Sequence, residues 1–299
     1  MLSFFFTFQI SAQDTLMPVI FLDDILISEE NNGFTVEDFV SYVKKDTTFY
    51  MGFKHLRYYS HQYNSELNIF NKKGETIGTL IKKGTHFSDE KKAWIVNDTI
   101  IDSGKIFKRN GKYRYYTPEA FDEVFFPKDT IDVSMQISDD INEDDTQNMR
   151  DAKTVGFSIG TDGVEQNKGG VKKKLAIFDI EMQQYYNYTI SDTIYNGRDC
   201  YSFTVKVKDT LLDKEKEGAL IRKIVSYFDK ENFNVIYREY KFIYSNWFLD
   251  LDMDIIVNMD YVRNKHIPTY IHYKGYWDVI FFKPERAEFK LKNTNYLVN

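Results

Sequence analysis

Between residues 247 and 261 the chain reads WFLDLDMDIIVNMDY, and every odd position is apolar: Trp247, Leu249, Leu251, Met253, Ile255, Val257, Met259 and Tyr261. Asp250, Asp252, Asp254, Asn258 and Asp260 fall between them. Strict alternation with period two marks a strand with one buried and one wetted face, because successive side chains of a strand point to opposite sides. A helix would spread the same carboxylates around its girth. At about 3.3 Å per residue the segment would span about 50 Å if straight, which is long for a domain of this size. The pattern therefore predicts a curl or a bulge, and with it a strongly curved sheet.

Patterns along the rest of the chain predict more strands and one helix. Residues 19 to 27, VIFLDDILI, read as a short strand before the turn-like residues 29 to 33. Thr35 is an N-cap candidate with Asp38 at the third helical position, and Val36, Phe39, Val40, Val43, Thr47 and Tyr50 form one apolar stripe. Glu37, Ser41, Lys44 and Lys45 lie opposite, so the expectation is an amphipathic helix packed on the sheet; a membrane-surface helix would need a more basic face. From Leu67 to Phe126 short strands alternate with turns at Lys73-Gly74 and Asn110-Gly111, the latter a hairpin signal of type I′ kind, and Pro118 opens a short helical turn. Tyr-rich residues 180 to 190, a turn at Asn196-Gly197, and alternation over Tyr201, Phe203, Val205 and Val207 continue the series. Residues 221 to 244 pair about a turn at 229 to 234, with Ile236, Tyr240, Phe242 and Tyr244 on one face. After the central strand come a turn at 263 to 268, a strand bearing Ile271, Tyr273, Trp277, Val279 and Phe281, and a last short strand, 287 to 292, with Phe289 and Leu291 inward. Strands joined by short turns predict an antiparallel meander.

Composition narrows the class. With 299 residues, 42% hydrophobic and 17% aromatic, the chain can bury a sizeable core. Its 22 Tyr and 25 Phe against 5 Pro favour sheet. A net charge of −6 gives no chain-wide basic field, which argues against nucleic acid as a partner. The start, MLSFFFTFQISAQ, is an apolar run ending in small and polar residues, and reads as an export signal over residues 1 to 13, without a basic n-region; an ordinary first strand is the competing reading. Residues 14 to 299 are then expected to form one curved-sheet domain with a polar, flexible insertion at about 138 to 174. No later stretch is apolar over about 18 residues, so no membrane span is predicted in the mature chain. The sole cysteine, Cys200, forbids an internal disulfide and is expected to be a buried, inert thiol.

Two passages carry a resemblance. Residues 195 to 201, YNGRDCY, lead into an alternating strand, and IVSYFDKENFNVIYREY from Ile224 runs on through NKHIPTYIHY at 264 to 273. Over roughly residues 175 to 292 this succession resembles the strand order and turn placement of the bacterial LolA/LolB-type outer-membrane lipoprotein carriers and their half-barrel relatives. The resemblance implies a mainly β, α+β fold: a strongly curved antiparallel sheet wrapping an apolar cavity plugged by helices, with acyl chains as cargo. It carries over no individual residue.

Candidate chemistry is sparse. Asp250, Asp252 and Asp254 would share a strand face at about 7 Å spacing, wide for joint metal ligation, so a solvated face is the favoured account. His55, His61, His86, His266 and His272 form neither H-x-x-x-H nor H-E-x-x-H, which leaves only clusters made in space. Asp139, Asp140, Glu143, Asp144 and Asp145 miss the spacing of a calcium loop, and Gly160, Gly163, Gly169 and Gly170 that of a phosphate loop. No G-x-S-x-G occurs. Residues 108 to 116, KRNGKYRYY, could stack single-stranded bases, but an exposed hairpin accounts for them. No cofactor is expected, and no enzymatic activity. The apolar face remains: Trp247, Leu249, Leu251, Met253, Ile255, Met259, Tyr273 and Trp277 are the expected ligand-binding residues, lining a cavity for an acyl chain or, alternatively, a core filled by the helix from Val36. The expected protein is an exported, periplasmic or secreted, non-enzymatic binder of a lipid or lipoprotein. An interaction module that contacts an envelope protein without a ligand cavity is the alternative, and a hydrolase assembled from distant residues is a third.

Overall fold

Alternation takes most of the chain into a single sheet. The structure, a computed structural model, describes residues 26–27, 48–89, 91–134, 177–178, 180–211, 218–245, 249–263, 265–279 and 283–297. A two-residue strand, β1 (Leu26–Ile27), is followed by helix α1 (Thr48–Leu56) and by β2 (Ser60–Phe70), β3 (Thr76–Ser88) and β4 (Lys92–Gly104). Helix α2 (Tyr116–Phe125), β5 (Ile131–Asp132) and the helical turn α3 (Ile180–Gln183) come next. Seven strands complete the described chain: β6 (Tyr186–Tyr195), β7 (Arg198–Val207), β8 (Ile221–Asp229), β9 (Val235–Ser245), β10 (Leu249–Val262), β11 (Lys265–Val279) and β12 (Glu285–Leu297).

The sheet is open and curled, with strands in the order β1-β6-β7-β8-β9-β10-β11-β12-β2-β3-β4-β5. β6 to β12 form the expected antiparallel meander, and β2 to β5 form a second one. The two join where β12 pairs with β2, so that Phe289 faces Leu67 across the ladder. Residues more than 200 positions apart in the sequence thus become neighbours. One edge departs from the antiparallel rule: Leu26 and Ile27 run parallel to β6, opposite Thr189 and Ile190.

β10 has the predicted character. Leu251, Met253, Ile255, Val257 and Met259 are buried while Asp250, Asp252, Asp254 and Asp260 are exposed. Lys241 of β9 reaches Asp252 at 3.1 Å and Asp254 at 3.3 Å on the outer face, so those carboxylates are a solvated, charge-paired surface. The anticipated irregularity is a register shift between Asn258 and Met259, where Met259 lies opposite Pro268. A proline has no N–H for the ladder, and a bulge is a place where a sheet tolerates that loss.

Several boundaries differ from the sequence reading. The turn before β11 is shorter than 263 to 268, since the bulge takes Pro268 into the strand. The last strand is longer than 287 to 292, running Glu285–Leu297. Residues 180 to 183 make a helical turn before the strand begins at Tyr186. At Asn110-Gly111 only the glycine has positive φ (79°), so the turn is not type I′; the type I′ pattern sits at Asn196 (φ 51°) and Gly197 (φ 77°), the two-residue link between β6 and β7. The strand of residues 19 to 27 is seen only at Leu26–Ile27, and the stripe from Val36 to Thr47 lies outside the described residues, as does the polar stretch 138 to 174.

The helices that cover the concave face are α1 and α2. α1 sits directly on the sheet at Gly52: a Cβ there would stand 2.1 Å from Met259 Cε and 3.3 Å from the His266 carbonyl oxygen. α2, foreshadowed only as a short turn at Pro118, runs ten residues. Pro118 falls within its first turn, where the missing N–H costs no hydrogen bond. One hydrophobic cluster unites the inner faces of β2, β3 and β6 to β12 with Phe53 of α1 and Phe126 just past α2.

Candidate functional site

The concave face and the two helices enclose an apolar slot. Its floor is Tyr240 of β9, Met253, Ile255 and Val257 of β10, and Ile271, Tyr273 and Trp277 of β11. Its roof is Thr117, Ala120, Phe121, Val124 and Phe125 of α2, with Phe53 of α1 at one end. The cavity volume is about 80 Å³, within a cleft of about 670 Å³ when the open mouth is included. A space that size and that apolar is a void that packing would ordinarily close.

The floor is shaped by Gly275. Residues 273, 275 and 277 share the inner face, and a Cβ at Gly275 would lie 2.0 Å from the Tyr273 hydroxyl. The glycine lets the tyrosine ring fold across the strand, where Trp277 Nε1 donates to the Tyr273 hydroxyl. Burial holds that phenol far above its usual pKa, so it stays a neutral hydrogen-bonding group. Phe121 lies 5.0 Å from Tyr273 and 4.3 Å from Phe289, centroid to centroid, and Tyr116 meets Trp277 edge-on at 5.8 Å. The roof thus rests on the floor through aromatic rings.

Polar clamps tie α2 to the sheet at two points. At its N-terminus the buried Glu285 carboxylate, at the start of β12, accepts from the Tyr116 N–H (2.6 Å), the Thr117 N–H (2.9 Å) and the Thr117 hydroxyl (2.8 Å). These are donors that a helix leaves without intrahelical partners. Burial raises the Glu285 pKa, against the hydrogen bonds that favour its charged form. Farther along, Asp122 accepts from Lys82 Nζ of β3 and from the Tyr113 hydroxyl, with Lys82 and Asp122 each only 8% exposed. Lys82 also stands 5.2 Å from the Phe126 ring centre.

Beyond Phe53, Val124 and Phe125 lies a second, smaller cleft of about 50 Å³ that those three residues also line. Arg57, His61, His86 and Asn293 give it a polar end. His61 of β2 and His86 of β3 face each other in register and stack at 4.7 Å. Both Nδ1 atoms approach the Tyr59 carbonyl, at 2.8 and 3.2 Å, which places a proton on each Nδ1 and turns each Nε2 into an acceptor. Burial first, then the partner imidazole, lowers the His61 pKa to about 3. Burial, with a contribution from Arg57, lowers that of His86 to about 4. The pair is neutral at ordinary pH.

Of the residues expected to bind a ligand, Met253, Ile255, Tyr273 and Trp277 line the slot. Leu251 is buried in the core outside it, and Met259 lies beneath Gly52 of α1. Leu249 opens β10, and Trp247 lies outside the described residues. Cys200 is fully buried and burial raises its thiol pKa, which leaves it a poor nucleophile. Among the described residues no three His, Cys, Asp or Glu side chains gather where a metal ion could be held. Sequence spacing missed Lys82, His86, His61 and Glu285. Their signal was parity: Lys82 and His86 alternate with Leu80, His61 with Tyr63 and Leu67, and Glu285 with Ala287, Phe289 and Leu291, all on the inward side.

The chain matches no protein-family model, and no curated protein matches it. Among solved structures it is similar to an outer membrane lipoprotein-sorting protein domain from Vibrio parahaemolyticus, at 11% identity and a TM-score of 0.26, over 82% of this chain and 88% of that one. A DUF1329 family protein from Desulfovibrio piger aligns at 11% identity and a TM-score of 0.25, over 87% and 89% of the two chains. Lipovitellin, from a structure describing its lipid–protein interactions, aligns at 8% identity and a TM-score of 0.26, over 80% of this chain and 25% of its own.

Proposed function

We propose that the protein is an exported, non-enzymatic binder of a lipid or lipidated partner, whose acyl chain enters the slot between the curled sheet and α2. The carrying observation is the slot itself, an apolar void walled by Met253, Ile255, Val257, Ile271, Phe121 and Phe125, to which Thr117, Tyr240, Tyr273 and Trp277 add the few polar groups of the lining. At about 80 Å³ it is too small for a long chain as it stands, so binding lifts or slides α2. Ten buried methylenes contribute about 8 kcal/mol, comparable with the three hydrogen bonds of the Glu285 clamp at about 1.5 to 3 kcal/mol each, so an acyl chain can offset release of that end of α2. The apolar run of residues 1 to 13, read as an export signal, supports a periplasmic or secreted location. Among the described residues no helix is long and apolar enough to cross a membrane.

The test is organic extraction of natively purified, detergent-free protein followed by mass spectrometry, with titration of the stripped protein by a fluorescent fatty-acyl probe. A lipid recovered near one per chain, or saturable probe binding, is the expected result. Lipid-free protein that also ignores the probe would overturn the reading. One observation favours a second reading, an interaction module for an envelope protein: among the described residues β4 pairs on its outer edge with β5 only at Lys92 and Ala93, and beyond them exposes Val96, Ile100 and Ile101. An edge of that kind accepts a partner strand. Ile100→Lys would then abolish partner capture while leaving acyl binding intact.

A further inference from the structure

The polar cleft beside the slot invites a second question, because the two share a wall. Phe53, Val124 and Phe125 line both. All three are side chains of the covering helices, so the movement of α2 that admits an acyl chain also opens the wall between the compartments. On one side of it the lining is apolar. On the other, among the described residues that line the cleft, Arg57 carries the formal charge, and the Nε2 edges of His61 and His86 complete the polar end. A purely structural account of this end is costly: two stacked imidazoles at 3% and 7% exposure occupy inward positions of β2 and β3 that apolar residues would fill more stably.

We propose that slot and cleft are the tail and head compartments of one amphiphile site, and that the head is an acidic oxygen group, a carboxylate or phosphate monoester, received by Arg57, His61 and His86. The inference rests on the acyl-chain reading of the slot. Guanidinium is the side chain suited to both heads, since its planar fork meets two oxygens at once. An oxyanion facing a bare Nε2 lone pair is repelled, so one proton moves from solvent onto an imidazole as the head arrives, and the ring then donates to it. Among the described residues the other titratable groups near the pair are the Tyr296 ring of β12, 5.5 Å from His61, and Tyr63 of β2, whose hydroxyl donates to Asn97; burial keeps both phenols protonated. α2 and β5 contribute only apolar residues to this cleft. Binding of an acidic amphiphile therefore takes up about one proton and tightens as pH falls.

Three ligands of matched tail test this on the full-length chain by calorimetric titration: palmitate, hexadecyl phosphate and monopalmitoylglycerol. The two acids are expected to bind about tenfold or more tightly than the neutral ester, with proton uptake, and Arg57→Gln to bring their affinity down to that of the ester. Imidazole nitrogen signals of His61 and His86 in the unsubstituted protein supply a readout that does not depend on the variant folding; they move with the acids and stay with the ester. Equal affinities and still signals would overturn the head compartment and leave acyl binding standing. Failure of all three ligands would remove the acyl reading and this inference together. Inorganic phosphate or acetate alone shifting the signals as far as the amphiphiles would show a free-anion site instead, and would overturn the proposal.

Discussion

Polar residues on the inward face carry the largest single-residue energies in this molecule. Lys82 and Asp122 are a buried ion pair, with Tyr113 on the same carboxylate. Removing one member leaves the other charged in a dry setting, so Lys82→Met is expected to cost about 3 to 5 kcal/mol, whereas Lys82→Met with Asp122→Leu recovers most of that loss. Denaturant unfolding of the two variants checks it; equal losses would refute the buried-pair account. The histidine pair sets a pH dependence. The folded pKa values, about 3 and about 4, lie below the ordinary 6.5, so the neutral rings' contribution is whole above about pH 6.5 and is lost as pH falls toward the folded values. At one pKa unit per 1.36 kcal/mol the loss by pH 4 is on the order of 3 kcal/mol for each ring. Glu285 acts in the opposite sense, because burial raises its pKa: its contribution is whole below about 4.5 and is lost as pH rises through the folded value. Thermal melts between pH 7 and pH 4 should fall steeply for the unsubstituted chain and less for His61→Gln with His86→Gln. Parallel curves would count against the assignment.

At the scale of elements, α2 is the part that decides what the slot can do. Its N-terminal clamp is one carboxylate taking three hydrogen bonds. Glu285→Gln keeps one acceptor oxygen but puts an NH2 donor where the other oxygen accepted from Tyr116 or Thr117, and is expected to cost about 1 to 2 kcal/mol and to speed exchange of an acyl probe through an easier lift of the helix. Stopped-flow displacement measures this; an unchanged off-rate would mean that α2 is not the moving cover. Ala120 faces the slot from the middle of the same helix. Ala120→Phe fills the void, and should leave stability near that of the parent while abolishing probe binding, since a cavity already occupied by side chain has nothing to offer a ligand.

For the whole molecule the decisive contact is between β12 and β2, which welds the N-terminal and C-terminal meanders into one sheet. Contacts so distant in sequence form only after a long loop closes. Deleting residues 285 to 297 would expose the edges of β11 and β2 at once and remove Glu285 from α2. Such a chain is expected to lose cooperative unfolding by calorimetry. A sharp transition retained in the truncated chain would mean that the two meanders are stable apart.

The alternation of residues 249 to 261, with Ile236, Tyr240 and Phe242, and Phe289 with Leu291, was enough to establish strands, their inward faces and a meander, since period two is a local property of an extended backbone. That this strand would curl or carry a bulge was legible too, because the segment was too long to run straight; that the bulge would lie opposite Pro268, which the pattern placed in a turn, was not. What no local pattern could decide was which ends meet. That Glu285 would cap a helix begun at Tyr116, that His61 would stack on His86, and that α2 would roof Met253 and Tyr273 depend on β12 closing onto β2, a pairing set by the burial of the whole concave face. Sequence fixes the direction in which a side chain points; only the closed sheet fixes what stands opposite, and a binding site is made of what stands opposite.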